Sequence, residues 1–230
     1  MADLERLQAA VEAGDRETAV DITQAALDEG IAPHDVLGAM TDAMGVVGDR
    51  FSRQEVFVPE MLISARAMKG GMALLEPLLV GSGHKPDKVA ILGTVKGDLH
   101  DIGKNLVGMM LKGADFQIVD LGTNTTAEEF LAAAREHKAD VIGCSALLTT
   151  TMGSMRDVIA ATRAADDMPN LRVIVGGAPV SIEFATELDA DGWAPDAAAA
   201  VDVAKAVVET ARGNTELAGL IHPAALATAS

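Results

Sequence analysis

The chain has a single cysteine, Cys144, in 230 residues. One thiol cannot close an intramolecular disulfide, and so sparing a use of cysteine fits a reducing compartment. Positive charge is also scarce. Eighteen Lys and Arg stand against 34 Asp and Glu, a formal net charge of -16 at pH 7. That excess of acid weighs against nucleic acid and anionic membrane surfaces as partners, and reads as a well-solvated exterior. No apolar run reaches the ~18 residues that a membrane span needs. The opening stretch, MADLERLQAAVEAGD, brings acids early and lacks an apolar signal-peptide core. A cytoplasmic chain without membrane contact is expected. What remains is ordinary for a globular protein, with 49% hydrophobic and 23% charged residues. The length suffices for one substantial domain or two small ones.

The chain reads as two halves. Residues 1–80 carry helical spacing throughout, and four helices are expected at 3–13, 15–29, 34–50 and 59–79. Asp15 and His34 stand near helix starts, Gly14 and Gly30 near helix stops, and Pro33 and Pro59 fit first-turn positions. In the last helix Met61, Ala65, Met68, Met72 and Leu75 recur at steps of three and four, which makes one apolar face. Short connections between such helices predict a small bundle. GSGHKPDK (81–88) then reads as a linker.

From residue 89 the pattern alternates. Apolar runs at 89–95, 116–121, 140–145 and 171–175 read as buried strands, with a short fifth strand near 191–194. Helical stretches at 103–112, 126–137, 152–165, 180–188 and 197–212 separate them. Strands of this kind alternating with helices predict a parallel sheet covered on both faces. The tail, 213–230, is rich in Ala, Thr and Ser and is expected to be poorly ordered. Ligands of such sheets bind beyond the carboxyl ends of the strands. The turns at 97–105, 122–125, 145–151, 176–179 and 192–197 therefore form the candidate edge.

The first of these turns is GDLHDIGKN, residues 97–105. It is not a phosphate loop: five residues rather than four separate Gly97 from Gly103-Lys104, and Asn105 stands where a Ser or Thr would bind Mg²⁺. No G-x-G-x-x-G opens the first helix, so a dinucleotide fingerprint is absent too. A zinc site would want four ligands, yet His34, His84, His137 and His222 are scattered without ligand spacing. Cys144 stands alone in a buried strand and reads as core. Taken alone, His100 would pass for a loop histidine at the start of a helix. Asp98, two residues earlier, changes that reading. An Asp-x-His pair lets the carboxylate take the imidazole's Nδ1 proton and leaves Nε2 facing a metal. One nitrogen cannot hold a bare ion, but it suffices for a metal that arrives inside a macrocycle.

Three motifs now fall in order: Asp98-x-His100-x-x-Gly103, Ser145-x-Leu147 and Gly176-Gly177. In that order and spacing they resemble the cobalamin-binding domain of methionine synthase and its corrinoid-protein relatives. VLGAMTDAMGVVGDRF and VFVPEMLISARAMKGGMALLEPLL resemble the helical cap of the same proteins. The likeness spans residues 1–212. It implies a four-helix bundle cap (1–80), a linker (81–88), a Rossmann-like, flavodoxin-like domain with a five-stranded parallel sheet (89–212) and a tail (213–230).

The resemblance also implies roles. His100 matches the lower axial cobalt ligand, Asp98 its hydrogen-bonding carboxylate, and Thr151 the relay hydroxyl that is serine in methionine synthase. Ser145 and Thr149 match hydroxyls that contact the nucleotide tail of cobalamin. Gly103, Gly176 and Gly177 match side-chain-free walls beside that tail. Gly97, Leu99, Asp101 and Ile102 are expected to border the cofactor, as are Leu147 and, beyond the fifth strand, Ala197. In the cap, Phe57 matches the aromatic near the methyl-bearing face of the ring, with Met61 and Leu62 beside it.

In the family that this chain resembles, Co(I) accepts a methyl group and methyl-Co(III) passes it on. A chain of this size resembles the corrinoid carrier of a three-component system, since methionine synthase needs further homocysteine, folate and activation modules. The implied partners are a substrate-specific methyltransferase, a corrinoid:tetrahydrofolate or coenzyme M methyltransferase, and a reductive activator. The implied donors are methanol, methylamines, methylated betaines or aromatic methyl ethers. Two other readings share the motifs: a subunit of a cobalamin-dependent mutase, and a cobalamin-based sensor, which would need a DNA-binding module.

Overall fold

The computed structural model describes residues 3–81, 86–214 and 219–229. The chain divides into two compact units, one of Met1–Pro86 with Gly113–Asp115, the other of Asp87–Lys112 with Phe116–Ser230. Of the expected linker, residues 82–85 lie outside the described residues.

The first unit consists of α1 (Leu4–Ala13), α2 (Arg16–Asp28), α3 (Pro33–Ser52) and α4 (Val58–Gly81). Their limits follow from local chemistry. Asp3 accepts from the backbone N–H groups of Glu5 (3.0 Å) and Arg6 (3.2 Å), two donors that the first helical turn leaves without partners. Gly14 ends α1 at φ +72°, and Asp15 at once caps α2 by accepting from Thr18 N at 3.1 Å. Pro33 supplies the first residue of α3, where no N–H is needed. Leu7, Val11, Met40, Met61 and Leu75 are fully buried and form the centre of this unit. On α4 the expected apolar face holds for Met61, Met68 and Leu75, whereas Ala65 and Met72 are half-buried.

The second unit alternates strand and helix: β1 (Lys88–Thr94), α5 (Ile102–Gly113), β2 (Phe116–Asp120), α6 (Ala127–His137), β3 (Val141–Ser145), α7 (Gly153–Arg163), β4 (Arg172–Gly176), α8 (Ile182–Glu187), β5 (Gly192–Ala194) and α9 (Ala197–Ala211). All pairings are parallel, in the order β2-β1-β3-β4-β5. The flavodoxin-like order places the topological switch between β1 and β3. Register then aligns the strand ends: Thr94 pairs with Ser145, Ser145 with Gly176, and Gly176 with Ala194. The turns that follow these four strands therefore leave the sheet level with one another. One side of the sheet packs Ile91, Ile142, Val173 and Val175 against Phe130 of α6 and Met155 of α7. Among the described residues no helix is long and apolar enough to cross a membrane.

The tail departs from expectation. Residues 215–218 and 230 lie outside the described residues, but the stretch between them is built into the fold. Ile221 N donates to Asp191 O and Ile221 O accepts from Trp193 N, both at 2.9 Å, which adds a parallel bridge beside Gly192. Ile221 is buried, and α10 (Pro223–Ala229) follows it. Composition suggested disorder, yet the edge of the three-residue strand β5 offers unpaired backbone groups that this segment satisfies.

Candidate functional site

β1 delivers the chain to the level edge of the sheet, and the turn beyond it is fixed from several sides. Asp98 N donates to Val95 O at 3.1 Å, and Gly97 takes φ +86°, a conformation that favours a residue without Cβ. Thr94, fully buried at the end of β1, donates its hydroxyl to His100 O at 2.7 Å.

The Asp98 side chain has no exposed surface. Its Oδ1 lies 2.7 Å from His100 Nδ1 and also accepts from His100 N at 3.1 Å. Its Oδ2 accepts from Leu147 N (2.8 Å), Leu148 N (3.1 Å) and the Thr151 hydroxyl (2.7 Å). Burial by itself raises a carboxyl pKa, but the bonds from Thr151, Leu147 and His100 outweigh it and hold Asp98 well below the usual carboxylate range. An ionised carboxylate only accepts, so His100 Nδ1 bears a proton toward it and Nε2 is the ring nitrogen left for a metal. The imidazole is half-exposed. Thr151 Oγ1 also lies 2.8 Å from Leu148 O; its one proton serves one acceptor at a time, and the charged carboxylate is the stronger.

Most of the expected residues gather at this edge. Leu99 and Ile102 are 74% and 79% exposed, and Leu147 and Leu148 are 42% and 43% exposed, so four apolar side chains stand in solvent near a free imidazole nitrogen. Ser145 ends β3 and Thr149 is exposed in the turn beyond it. Gly176 and Gly177 follow β4. A Cβ on Gly177 would run into Ala146 O, and its φ of +133° excludes ordinary side chains, so the turns after β3 and β4 touch backbone to backbone.

Other expected residues serve differently. Asp101 Oδ2 accepts from Asn105 Nδ2 at 3.0 Å, which ties it to its own helix. Gly103 has open space where a Cβ would stand, so nothing in the protein itself requires glycine there. Ala197 is buried at the first position of α9, under its cap Asp196. In the first unit Phe57 is 62% exposed and Leu62 is exposed, whereas Met61 is wholly buried and has no surface to present. Cys144 is buried too, and burial pushes its thiol pKa up, which leaves it inert. Among the described residues no group of three or more His, Cys, Asp or Glu could hold a metal ion.

Sequence reasoning missed the parts that brace this turn. Besides Thr94, Lys104 is buried and its Nζ donates to both oxygens of Asp120, each at 2.6 Å, and to Asn105 Oδ1 at 2.7 Å. The backbone amides of Leu147 and Leu148 were equally invisible. The one available signal was positional: polar residues recurring at strand ends that face one turn.

The chain matches two families, each described as a B12 binding domain, over residues 88–202 and 3–76. It is 40% identical to a corrinoid protein of Desulfitobacterium hafniense over 213 residues, 90% of this chain and 98% of that protein. It is 38% identical to a dimethylamine corrinoid protein of Methanosarcina acetivorans, covering 76% of this chain and 83% of the relative. Among solved structures, it superposes on a cobalamin-binding protein from Desulfitobacterium hafniense with a TM-score of 0.77 at 27% identity, over 90% of this chain and 99% of the other. It also superposes on a chain of the methanol:cobalamin methyltransferase complex from Methanosarcina barkeri with a TM-score of 0.77 at 28% identity, over 92% and 84% of the two chains.

Proposed function

Because this chain belongs to the family of B12-binding corrinoid proteins, we propose that it carries a corrinoid and shuttles a methyl group between two methyltransferases. When bound, the corrinoid supplies a cobalt centre that accepts a methyl group and gives it up again.

The residues present fit such a group. A lone imidazole nitrogen with a carboxylate behind it is too little for a bare ion and enough for a ring-held metal. The exposed Leu99, Ile102 and Leu147 suit the apolar rim of a macrocycle. The observation that carries the reading is the half-exposed His100 whose Nδ1–H is committed to buried Asp98. That bond fixes the tautomer, so Nε2 is the atom that would ligate cobalt. Asp98, held well below the usual carboxylate range, stands beside the ring as its hydrogen-bond acceptor. Thr151 donates to the same carboxylate and completes the relay. Ser145 and Thr149 offer hydroxyls to the nucleotide tail, and the open space beside Gly103 leaves room for it. The helical unit is read as the cap, and its Phe57 is exposed and offers an aromatic face.

A partner methyltransferase is supported by the structural likeness to a chain of the methanol:cobalamin methyltransferase complex. A dimethylamine corrinoid protein among the relatives adds methylated amines to methanol as donors. The acceptor enzyme works toward tetrahydrofolate or coenzyme M, a reductive activator rescues oxidised cobalt, and the system is cytoplasmic. The mutase and sensor readings are not favoured, since the relatives named above are corrinoid proteins of methyl-transfer type.

The test is reconstitution with hydroxocobalamin. His100→Ala should retain the corrinoid while its visible spectrum moves to a water-ligated form. An unchanged spectrum with the cofactor still bound would remove His100 as the axial ligand. Methyl transfer from a panel of methanol, methylamines, betaines and aryl methyl ethers, each with its transferase, then identifies the donor.

A further inference from the structure

The Asp98 carboxylate orients His100, but a carboxylate aims only as well as the main chain that carries it. Here that main chain is held by the turn after β2, which the function described so far does not use. Asn124 meets the Gly97–Asp98 peptides at two points. Its Oδ1 accepts from Gly97 N at 2.8 Å, and its own N–H donates to Asp98 O at 2.9 Å.

Asn124 is itself fixed. Thr94 N donates to Gly122 O and Thr125 N donates to Thr94 O, both at 2.9 Å, and Val95 bridges Thr125 in parallel. Thr125 is buried, so the clamp is anchored in the sheet although Asn124 is exposed. The bond on Gly97 also holds a residue whose φ of +86° leaves it many alternatives once released.

We infer that Asn124 is a positioning residue for the axial imidazole, acting through the main chain of Gly97 and Asp98. This rests on the reading of His100 as the cobalt ligand. The position sets two demands at once. Its φ is +57°, the left-handed region that Asn and Asp enter more readily than other side-chain-bearing residues. It must also place an acceptor oxygen within reach of Gly97 N. Asp meets both demands, Gly meets only the first, and Ala meets neither.

That ladder is the experiment, carried out on the full-length chain as Asn124→Asp, Asn124→Gly and Asn124→Ala. Without corrinoid, nitrogen NMR of labelled histidine reads the His100 tautomer, and amide exchange reads Gly97. With hydroxocobalamin, the visible spectrum reads the His-ligated fraction. Asn124→Asp should match the wild type in all three. Asn124→Gly, which keeps the backbone conformation, should speed Gly97 exchange and shift both the tautomer and ligation equilibria about fivefold, the weight of one neutral hydrogen bond. Asn124→Ala should go further, because it adds backbone strain. The inference is overturned if Asn124→Gly matches the wild type in tautomer and Gly97 exchange, or if Asn124→Asp departs as far as Asn124→Ala. A His100→Ala chain with an unchanged spectrum would instead defeat the ligand assignment, and the corrinoid-free measurements would still decide whether the clamp exists.

Discussion

Asp98 holds a full negative charge with no contact to solvent, because five donors surround it: two from His100, and one each from Leu147, Leu148 and Thr151. Asp98→Asn keeps the shape but replaces one acceptor by a donor. Whichever way the amide turns, it opposes N–H groups on one side. Loss of a partner behind a metal-binding histidine typically costs ~10–100-fold. Axial ligation or methyl transfer should fall in that range while the corrinoid stays bound, and wild-type behaviour in both would end the positioning role. Stability supplies a second test. The folded pKa of Asp98 lies below its ordinary value of about 3.9, so its contribution is complete above that value and is lost as pH falls through the depressed one. Urea midpoints of wild type and Asp98→Asn should therefore differ above about pH 4 and converge as pH falls below it. A gap that persisted undiminished well below about pH 4 would contradict the assigned charge. At this scale the sequence was legible where spacing encodes chemistry, as in Asp98-x-His100. It was silent on Lys104, since a lysine in the first turn of an amphipathic helix reads as solvated, whereas its side chain is 2% exposed and paired with Asp120.

Among elements, the close approach of the turns after β3 and β4 is the tightest feature of the edge. A methyl group on Gly177 would meet Ala146 O, in a backbone conformation that alanine avoids. Gly177→Ala should lower stability by about 1–3 kcal/mol, read as a drop in thermal midpoint, and should weaken corrinoid binding with it. An unchanged midpoint would mean that these turns separate freely. The strands were readable because buried parallel strands are nearly continuous apolar runs, and β1, β2, β3, β4 and β5 each begin and end within a residue of expectation. Their lateral order was not readable in the same way, because pairing partners leave no local signature. Nor was the role of Ile221, a single apolar residue among Ala, Thr and Pro whose burial depends on an edge strand formed some thirty residues earlier.

For the molecule as a whole, the second unit owns a complete sheet, its core and every member of the Asp98 network. A chain beginning at Asp87 should fold by circular dichroism and retain hydroxocobalamin on dialysis; an unfolded product would make the helical unit a folding partner. If the helical unit is a cap, the shortened chain and Phe57→Ala should both lose a bound methyl group to light faster than the full chain, with axial ligation intact. The network also has a consequence for synthesis. Asp98 draws on Leu147, Leu148 and Thr151, and β1 lies between β2 and β3 in the sheet. A nascent chain that has just passed His100 therefore has neither the donors nor the neighbouring strands that set the ring, and long-range pairings of this kind form late. The receptor for the cofactor is completed only once the turn beyond β3 has emerged from the ribosome, so loading follows translation and does not guide it.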